Sequence, residues 1–124
     1  MCSSDLTIHV AYLAPYAYEV FASVDRRHEW RKLIESSYAA LHWLYDDQGV
    51  SLPPEVIYLD KVSGRFALTR PGSGPAAEFS YDAFPLFWRV ALDARWFGRS
   101  EAALREKMLG FFWVEWKEIG RAHV

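Results

Sequence analysis

The sequence from Asp25 to Gln48 reads DRRHEWRKLIESSYAALHWLYDDQ, and its apolar residues recur at the spacing of an amphipathic α-helix. Winding it at about 3.6 residues per turn brings most of them to one face. That face consists of Trp30, Leu33, Ile34, Ser37, Tyr38, Leu41, Leu44 and Tyr45, and the opposite face of Arg31, Lys32, Glu35, Ala39, His42 and Asp46. Asp25 suits the N-cap, and Gly49 suits the left-handed residue that ends a helix. The stretch predicts one long helix against which the rest of the domain packs.

Two shorter segments precede this helix. Residues 7–13 (TIHVAYL) alternate in polarity and are rich in β-branched and aromatic residues, which predicts a strand that Pro15 interrupts. Residues 16–24 fit a strand by alternation and a helix by the spacing of their apolar residues. We favour the strand.

A β-hairpin follows the helix. Residues 55–60 and 65–70 read as strands on either side of Lys61-Val-Ser-Gly64, a turn that contains glycine. Residues 70–77 (RPGSGPAA) then form a loop, because two prolines and two glycines interrupt regular structure.

The last third of the chain is aromatic and mainly helical. Residues 82–97 predict a helix that ends at Gly98, with Arg89 and Asp93 paired on its polar side, although alternation also allows a strand. Ser100 suits the N-cap of a further helix. Residues 111–117 fit a strand or a helix equally well. Together these elements predict an α+β fold, in which a short antiparallel sheet packs against one long amphipathic helix and aromatic-rich C-terminal helices cover the remaining apolar face.

The two ends of the chain resemble translated sequencing adapter. Residues 2–6 (CSSDL) correspond to one adapter strand and residues 118–124 (EIGRAHV) to the other. We therefore expect one natural domain at residues 7–117, which could continue in a longer protein, and adapter-derived tails at 1–6 and 118–124.

Composition narrows the class of protein. The chain has 124 residues, 52% of them hydrophobic, and a net charge of −2, so it offers no overall attraction for nucleic acid or anionic lipid. No apolar run reaches the roughly 18 residues that span a bilayer, and we expect no membrane partner. The single cysteine, Cys2, lies in the adapter-like tail, so the natural part has no disulfide, which suits the cytoplasm.

Aromatic residues are unusually frequent, with 6 Trp, 7 Tyr and 8 Phe. So small a domain cannot bury all of these rings, and exposed rings indicate a binding surface. Helical winding points Trp43 and Trp96 away from the core, and Trp113 and Trp116 cannot both face inward in a strand. These four residues are the predicted partner-binding set. The leading hypothesis is a non-enzymatic interaction module of the immunity, adaptor or phage-accessory type, which binds a protein partner or self-associates.

A nucleic-acid-binding domain is the alternative. Arg26, Arg27, Arg31 and Lys32 form a basic cluster with Trp30 inside it, a combination that can follow a phosphate backbone. The acidic residues Asp25, Glu29 and Glu35 dilute this cluster.

The sequence identifies no catalytic residue, metal ligand or cofactor site. It has no G-x-S-x-G motif, and Pro71-Gly-Ser-Gly-Pro75 lacks the Lys-Ser/Thr of a phosphate loop. His42 and Asp46 could share a metal at i and i+4, but no third ligand is evident in sequence. A solvated helix face with Arg31–Glu35 and Lys32–Glu35 pairs explains these residues as well. A small hydrolase with an unnamed site is the third hypothesis.

Overall fold

A computed structural model describes residues 5–70, 74, 78–99, 101 and 104–110 of the chain. The elements run β1 (Asp5–His9), α1 (Pro15–Val24), α2 (Trp30–His42), β2 (Val56–Asp60), β3 (Phe66–Ala67) and α3 (Pro85–Phe97), followed by a helical segment at 104–110. Single 3₁₀ turns lie at Val10–Tyr12 and Tyr81–Ala83, and a π-helical turn extends α2 over Trp43–Asp47. The predicted α+β class is confirmed.

The three strands form an antiparallel sheet in the order β1-β2-β3. The hairpin of β2 and β3 is the predicted one, although β3 has only two residues. Gly64 has φ of 72° in its turn, a conformation that glycine adopts without steric cost. Ile57 of β2 is fully buried and carries the sheet into the core. β1 begins at Asp5, two residues before the predicted start of the natural domain, and pairs Leu6 with Leu59.

The predicted apolar face of α2 does form the centre of the core. Ile34, Tyr38, Leu41, Leu44 and Tyr45 are all buried there. Trp30 is only half-buried, and Leu33, also predicted to face inward, is 45% exposed. Gly49 takes a left-handed conformation after the helix, as expected.

The helix begins at Trp30 rather than near Asp25, because Asp25 stabilises a local turn. Its carboxylate accepts hydrogen bonds from the backbone N–H of Arg27 at 3.0 Å, from Nδ1 of His28 at 2.8 Å and from Nε1 of Trp30 at 3.3 Å. Such side-chain to backbone contacts compete with helix formation. The same hydrogen bonds, that from His28 first, lower the pKa of Asp25.

Of the two strands predicted near the start of the chain, the one at 16–24 is wrong and the one at 7–13 is confirmed only over residues 7–9. Residues 16–24 belong to the helix α1, and the predicted strand at 7–13 ends at His9. Pro15 opens the helix rather than ending a strand, since proline fits the first helical position, where no N–H is needed. Val20, Phe21 and Val24 all remain more than one-third exposed, so α1 lacks the buried apolar face that sequence periodicity detects.

The predicted helix at 82–97 is confirmed as α3, although it begins at Pro85 and ends at the left-handed Gly98. Leu86, Phe87 and Val90 turn toward the core, and Leu104 and Met108 of the 104–110 segment close it from the other side. Residues 111–117 lie outside the described part of the chain. Within the described ranges, no helix has the length and apolarity needed to cross a membrane.

Candidate functional site

Three aromatic side chains from α1 and α3 meet at the surface, and we call them the aromatic face: Tyr16, Trp88 and Trp96. The Tyr16 ring lies between the two indoles, 6.2 Å from Trp88 and 5.4 Å from Trp96 between centroids, and it meets Trp96 edge to face. Trp88 is 46% and Trp96 56% exposed. Edge-to-face contact is a preferred geometry for aromatic pairs, and both indoles nevertheless keep about half of their area exposed.

The apolar surface continues along α3 beyond this face. Phe84, which precedes the first residue of α3, and Trp88, Leu92 and Trp96 within it recur every four residues. The row rises roughly 18 Å along the helix and turns about 40° around it at each step. Phe84 is half-exposed and packs its ring on Phe87. Tyr81, in the turn that precedes α3, is 89% exposed.

Two of the four predicted partner-binding residues are described by the structure, and of these Trp96 lies on this surface whereas Trp43 does not. Trp43 is half-buried, with its ring 5.5 Å from that of Phe66, and it packs against the core. Trp113 and Trp116 lie outside the described residues. Trp88 and Tyr16 were not among the predicted partner-binding residues. The i, i+4, i+8 spacing of Trp88, Leu92 and Trp96 was the available signal.

The predicted basic cluster is at the surface, but much of its charge is paired with carboxylates. Arg27 lies 3.6 Å from Asp25, Arg31 lies 3.3 Å from Glu19, and Lys32 lies 3.0 Å from Glu29. The fourth member, Arg26, is exposed. An open depression of ≈ 620 Å³ is lined by Arg26, Arg31, Lys32 and Trp30, but not by Arg27. Asp25 and Glu29 also line it. The depression is therefore mixed in charge rather than basic. Neither Arg31 nor Lys32 takes the predicted partner, Glu35, in these ion pairs.

A buried polar network joins the three helices. Asp93 of α3 is fully buried and accepts a hydrogen bond from the Tyr38 hydroxyl of α2. Arg99 contacts both oxygens of Asp93, with Nε 3.0 Å from Oδ1 and 2.8 Å from Oδ2. Its Nη2 also donates to Glu19 of α1 at 2.9 Å. The prediction that Asp93 lies on the polar side of α3 and pairs with Arg89 is therefore wrong.

Burial and neighbouring charges shift the pKa values of Tyr38 and Arg99 in this network. Burial of the Tyr38 hydroxyl, together with its contact with Asp93, raises the Tyr38 pKa, so the group stays protonated and donates. Burial alone would lower the pKa of Arg99, but Glu19 and Asp93 outweigh that effect and raise it.

Arg89, the predicted partner of Asp93, donates to the backbone carbonyl of Ala11, and its guanidinium lies 5.3 Å from the Trp88 ring centroid.

His42 lies between two carboxylates from different parts of the chain. Its Nδ1 is 2.7 Å from Oδ2 of Asp46, and its Nε2 is 2.8 Å from Oε2 of Glu101. Lys107 also contacts Asp46. The sequence suggested His42 and Asp46, but Glu101 and Lys107 are about 60 residues away and only the fold brings them here.

The acidic partners raise the pKa of His42, Asp46 most strongly, while Lys107 and His42 lower the pKa of Asp46. Because the two carboxylates bind opposite nitrogens of the ring, the three side chains do not converge on one point. Among the described residues, no group of three His, Cys, Asp or Glu side chains is arranged to hold a metal ion.

Comparison with known proteins gives one partial likeness. The chain is 29% identical over 105 residues to endoglucanase A of Acetivibrio thermocellus, an alignment that covers 84% of this chain and 20% of that protein. The chain thus spans about a fifth of the length of the relative that it matches. No protein-family model and no solved structure matches the chain.

Proposed function

We propose that this chain is a segment of a glucan-hydrolysing protein of the endoglucanase type, and that its aromatic face binds the glucan. The alignment with endoglucanase A carries the proposal, because it extends over 84% of the chain rather than over a short motif. Hydrolysis itself is proposed for a longer protein. Binding is proposed for the residues described here.

The aromatic face suits a carbohydrate ligand. Sugar rings present flat C–H faces that stack on aromatic rings, and hydroxyl-bearing edges that need polar partners. Trp96 is the most exposed residue of the three, and Arg95, the preceding residue of α3, is also exposed and can donate hydrogen bonds. The row of apolar side chains along α3 is long enough for several sugar units.

The described carboxylates do not identify a hydrolytic pair. Glycoside hydrolysis requires two carboxyl groups, one of which acts as an acid with a raised pKa. The pKa values of Asp25 and Asp46 are shifted the other way, by His28 and Lys107 respectively. Both nitrogens of His42 are already occupied by carboxylates, so it is not free to act as a base. A small hydrolase whose active site lies around His42 and Asp46 is therefore a weaker hypothesis than glucan binding by the aromatic face.

Native electrophoresis of the whole chain through gels that contain dissolved β-glucan tests the proposal. Glucan should retard the chain, and Trp96→Ala should weaken the apparent affinity about tenfold or more, since truncating a hot-spot aromatic costs roughly 2 kcal/mol. Val62→Ser is the matched control, because it removes an exposed apolar side chain from the hairpin turn. Retardation that is absent, or that Trp96→Ala leaves unchanged in a folded variant, would contradict the assignment of this face to glucan.

The interaction-module hypothesis rests on the same surface. Exposed Trp and Tyr side chains also dominate protein interfaces. Sedimentation of the chain without glucan separates the two cases: concentration-dependent association that Trp96→Ala abolishes would favour self-association. Nucleic-acid binding would instead require salt-sensitive affinity that depends on Arg26, Arg27, Arg31 and Lys32. The carboxylate partners of three of these residues argue against it.

A further inference from the structure

We propose that His42 is a protonation-dependent clasp that fastens the helical segment 104–110 to α2. The inference is independent of glucan binding. It rests on the position of one imidazole between Asp46, on the π-helical turn that extends α2, and Glu101, at the start of the segment that it would fasten. Glu101 is coupled to that segment, because its backbone carbonyl accepts from the Arg105 N–H at 3.0 Å.

Both contacts form together only when the ring carries two protons. A carboxylate can only accept hydrogen bonds, and a neutral imidazole has a single N–H. Deprotonation would therefore turn a nitrogen lone pair toward one of the two carboxylates, and that contact would become repulsive. The charged form makes two charge-assisted hydrogen bonds, at 2.7 Å to Asp46 and 2.8 Å to Glu101.

The charged groups that face His42 are Asp46, Glu101 and, through Asp46, Lys107. Arg99, two residues before Glu101 in the chain, forms a separate ion pair with Asp93. The contact between Lys107 and Asp46 does not involve the imidazole, so it persists when His42 loses its proton. Loss of that proton should loosen the segment rather than release it.

The seam between the segment and the core is apolar and, on the side of α3, incompletely packed. Leu104 and Met108 are buried against the core. A cavity of ≈ 20 Å³ remains between α3 and the segment, lined by Phe87, Val90, Ala91, Arg105, Met108 and Leu109. Opening the clasp would expose this seam while the rest of the core, centred on α2, stays closed.

The direction of the pH effect follows from the raised pKa of His42. A group whose pKa is higher in the folded than in the unfolded state stabilises the fold fully below the unfolded value, about 6.5 for histidine. This contribution disappears as the pH rises through the folded value. The clasp is therefore closed at a pH below the ordinary histidine pKa and opens as the pH rises through the raised value.

Hydrogen exchange of the whole chain at about pH 5.5 and about pH 8.5, on either side of the ordinary histidine pKa, provides the test. After correction for intrinsic rates, amides in 104–110 should lose protection at the higher pH several-fold more than amides around Leu41 in α2. His42→Gln should abolish the difference. His28→Gln is the matched control, because His28 also contacts a carboxylate, that of Asp25, but makes no described contact with residues 101–110.

Titration of the ring by NMR keeps the proposal testable if His42→Gln does not fold. The His42 pKa should lie above about 6.5, and Glu101→Gln should lower it. A His42 pKa that Glu101→Gln leaves unchanged would overturn the clasp. Equal loss of protection in His42→Gln and in the unaltered chain would also overturn it.

Discussion

The carboxylate of Asp93 accepts hydrogen bonds from Tyr38 and Arg99 at a position that water does not reach. A buried charge is tolerated only when it is paired and hydrogen-bonded, and Asp93 meets both conditions. Arg99 also binds Glu19, so one guanidinium joins α3 to α1. These contacts fix the angle between helices whose exposed sides carry Tyr16 and Trp96, and so help to position the aromatic face.

Removing the Tyr38 hydroxyl tests the importance of this network. Tyr38→Phe should cost about 1–3 kcal/mol of unfolding free energy, because it leaves a buried carboxylate short of one donor. Urea unfolding measures the change. Tyr18→Phe is the matched control: its hydroxyl donates to the Tyr12 carbonyl at 2.9 Å in an exposed place, and its loss should cost less than about 1 kcal/mol. Equal costs would mean that the buried contact adds no stability beyond an exposed one.

At the scale of the element, sequence periodicity predicts a helix well when one face is buried and poorly when it is not. The apolar stripe of α2 is recognisable because it forms the centre of the core. The helix α1 buries few of its apolar side chains, so alternation and helical spacing could not be told apart. Asp93 could not be placed either, since its partner Tyr38 lies 55 residues earlier in the chain and its partner Arg99 lies beyond the end of α3. The binding-site candidates Tyr16 and Trp88 depend on the contact between α1 and α3 in the same way.

A pair of substitutions on α2 measures its asymmetry. Leu41 is fully buried, so Leu41→Ala should cost about 2–5 kcal/mol through lost transfer energy and an added cavity. Ala39 is exposed on the opposite side, and Ala39→Ser should change stability by less than about 1 kcal/mol. Chemical denaturation of both variants checks the prediction. Comparable losses at the two positions would show a helix that is buried all round.

At the scale of the whole molecule, the position of β1 bears on the adapter-like tails. The strand includes Asp5 and Leu6, which lie within the tail expected at residues 1–6. Leu6 is more than one-third exposed, and the two residues form the outer end of a strand at the edge of the sheet. The terminal pairs of an edge strand fray readily and carry little of the free energy of unfolding. Asp5 and Leu6 can therefore pair in β1 and still belong to a tail that contributes little to stability.

Deleting residues 1–6 and 118–124 together should leave the thermal midpoint within a few degrees of that of the full chain. A loss of about 1 kcal/mol would lower the midpoint by roughly 3–6 °C in a domain of this size, so calorimetry resolves the question. A second deletion that removes residues 1–9 is the matched control. It takes away all of β1, including Ile8, which packs against the core, and should destabilise the fold severely. If that joint deletion already lowers the midpoint by this amount or more, at least one tail belongs to the folded domain, and the expected bounds of 7–117 are wrong.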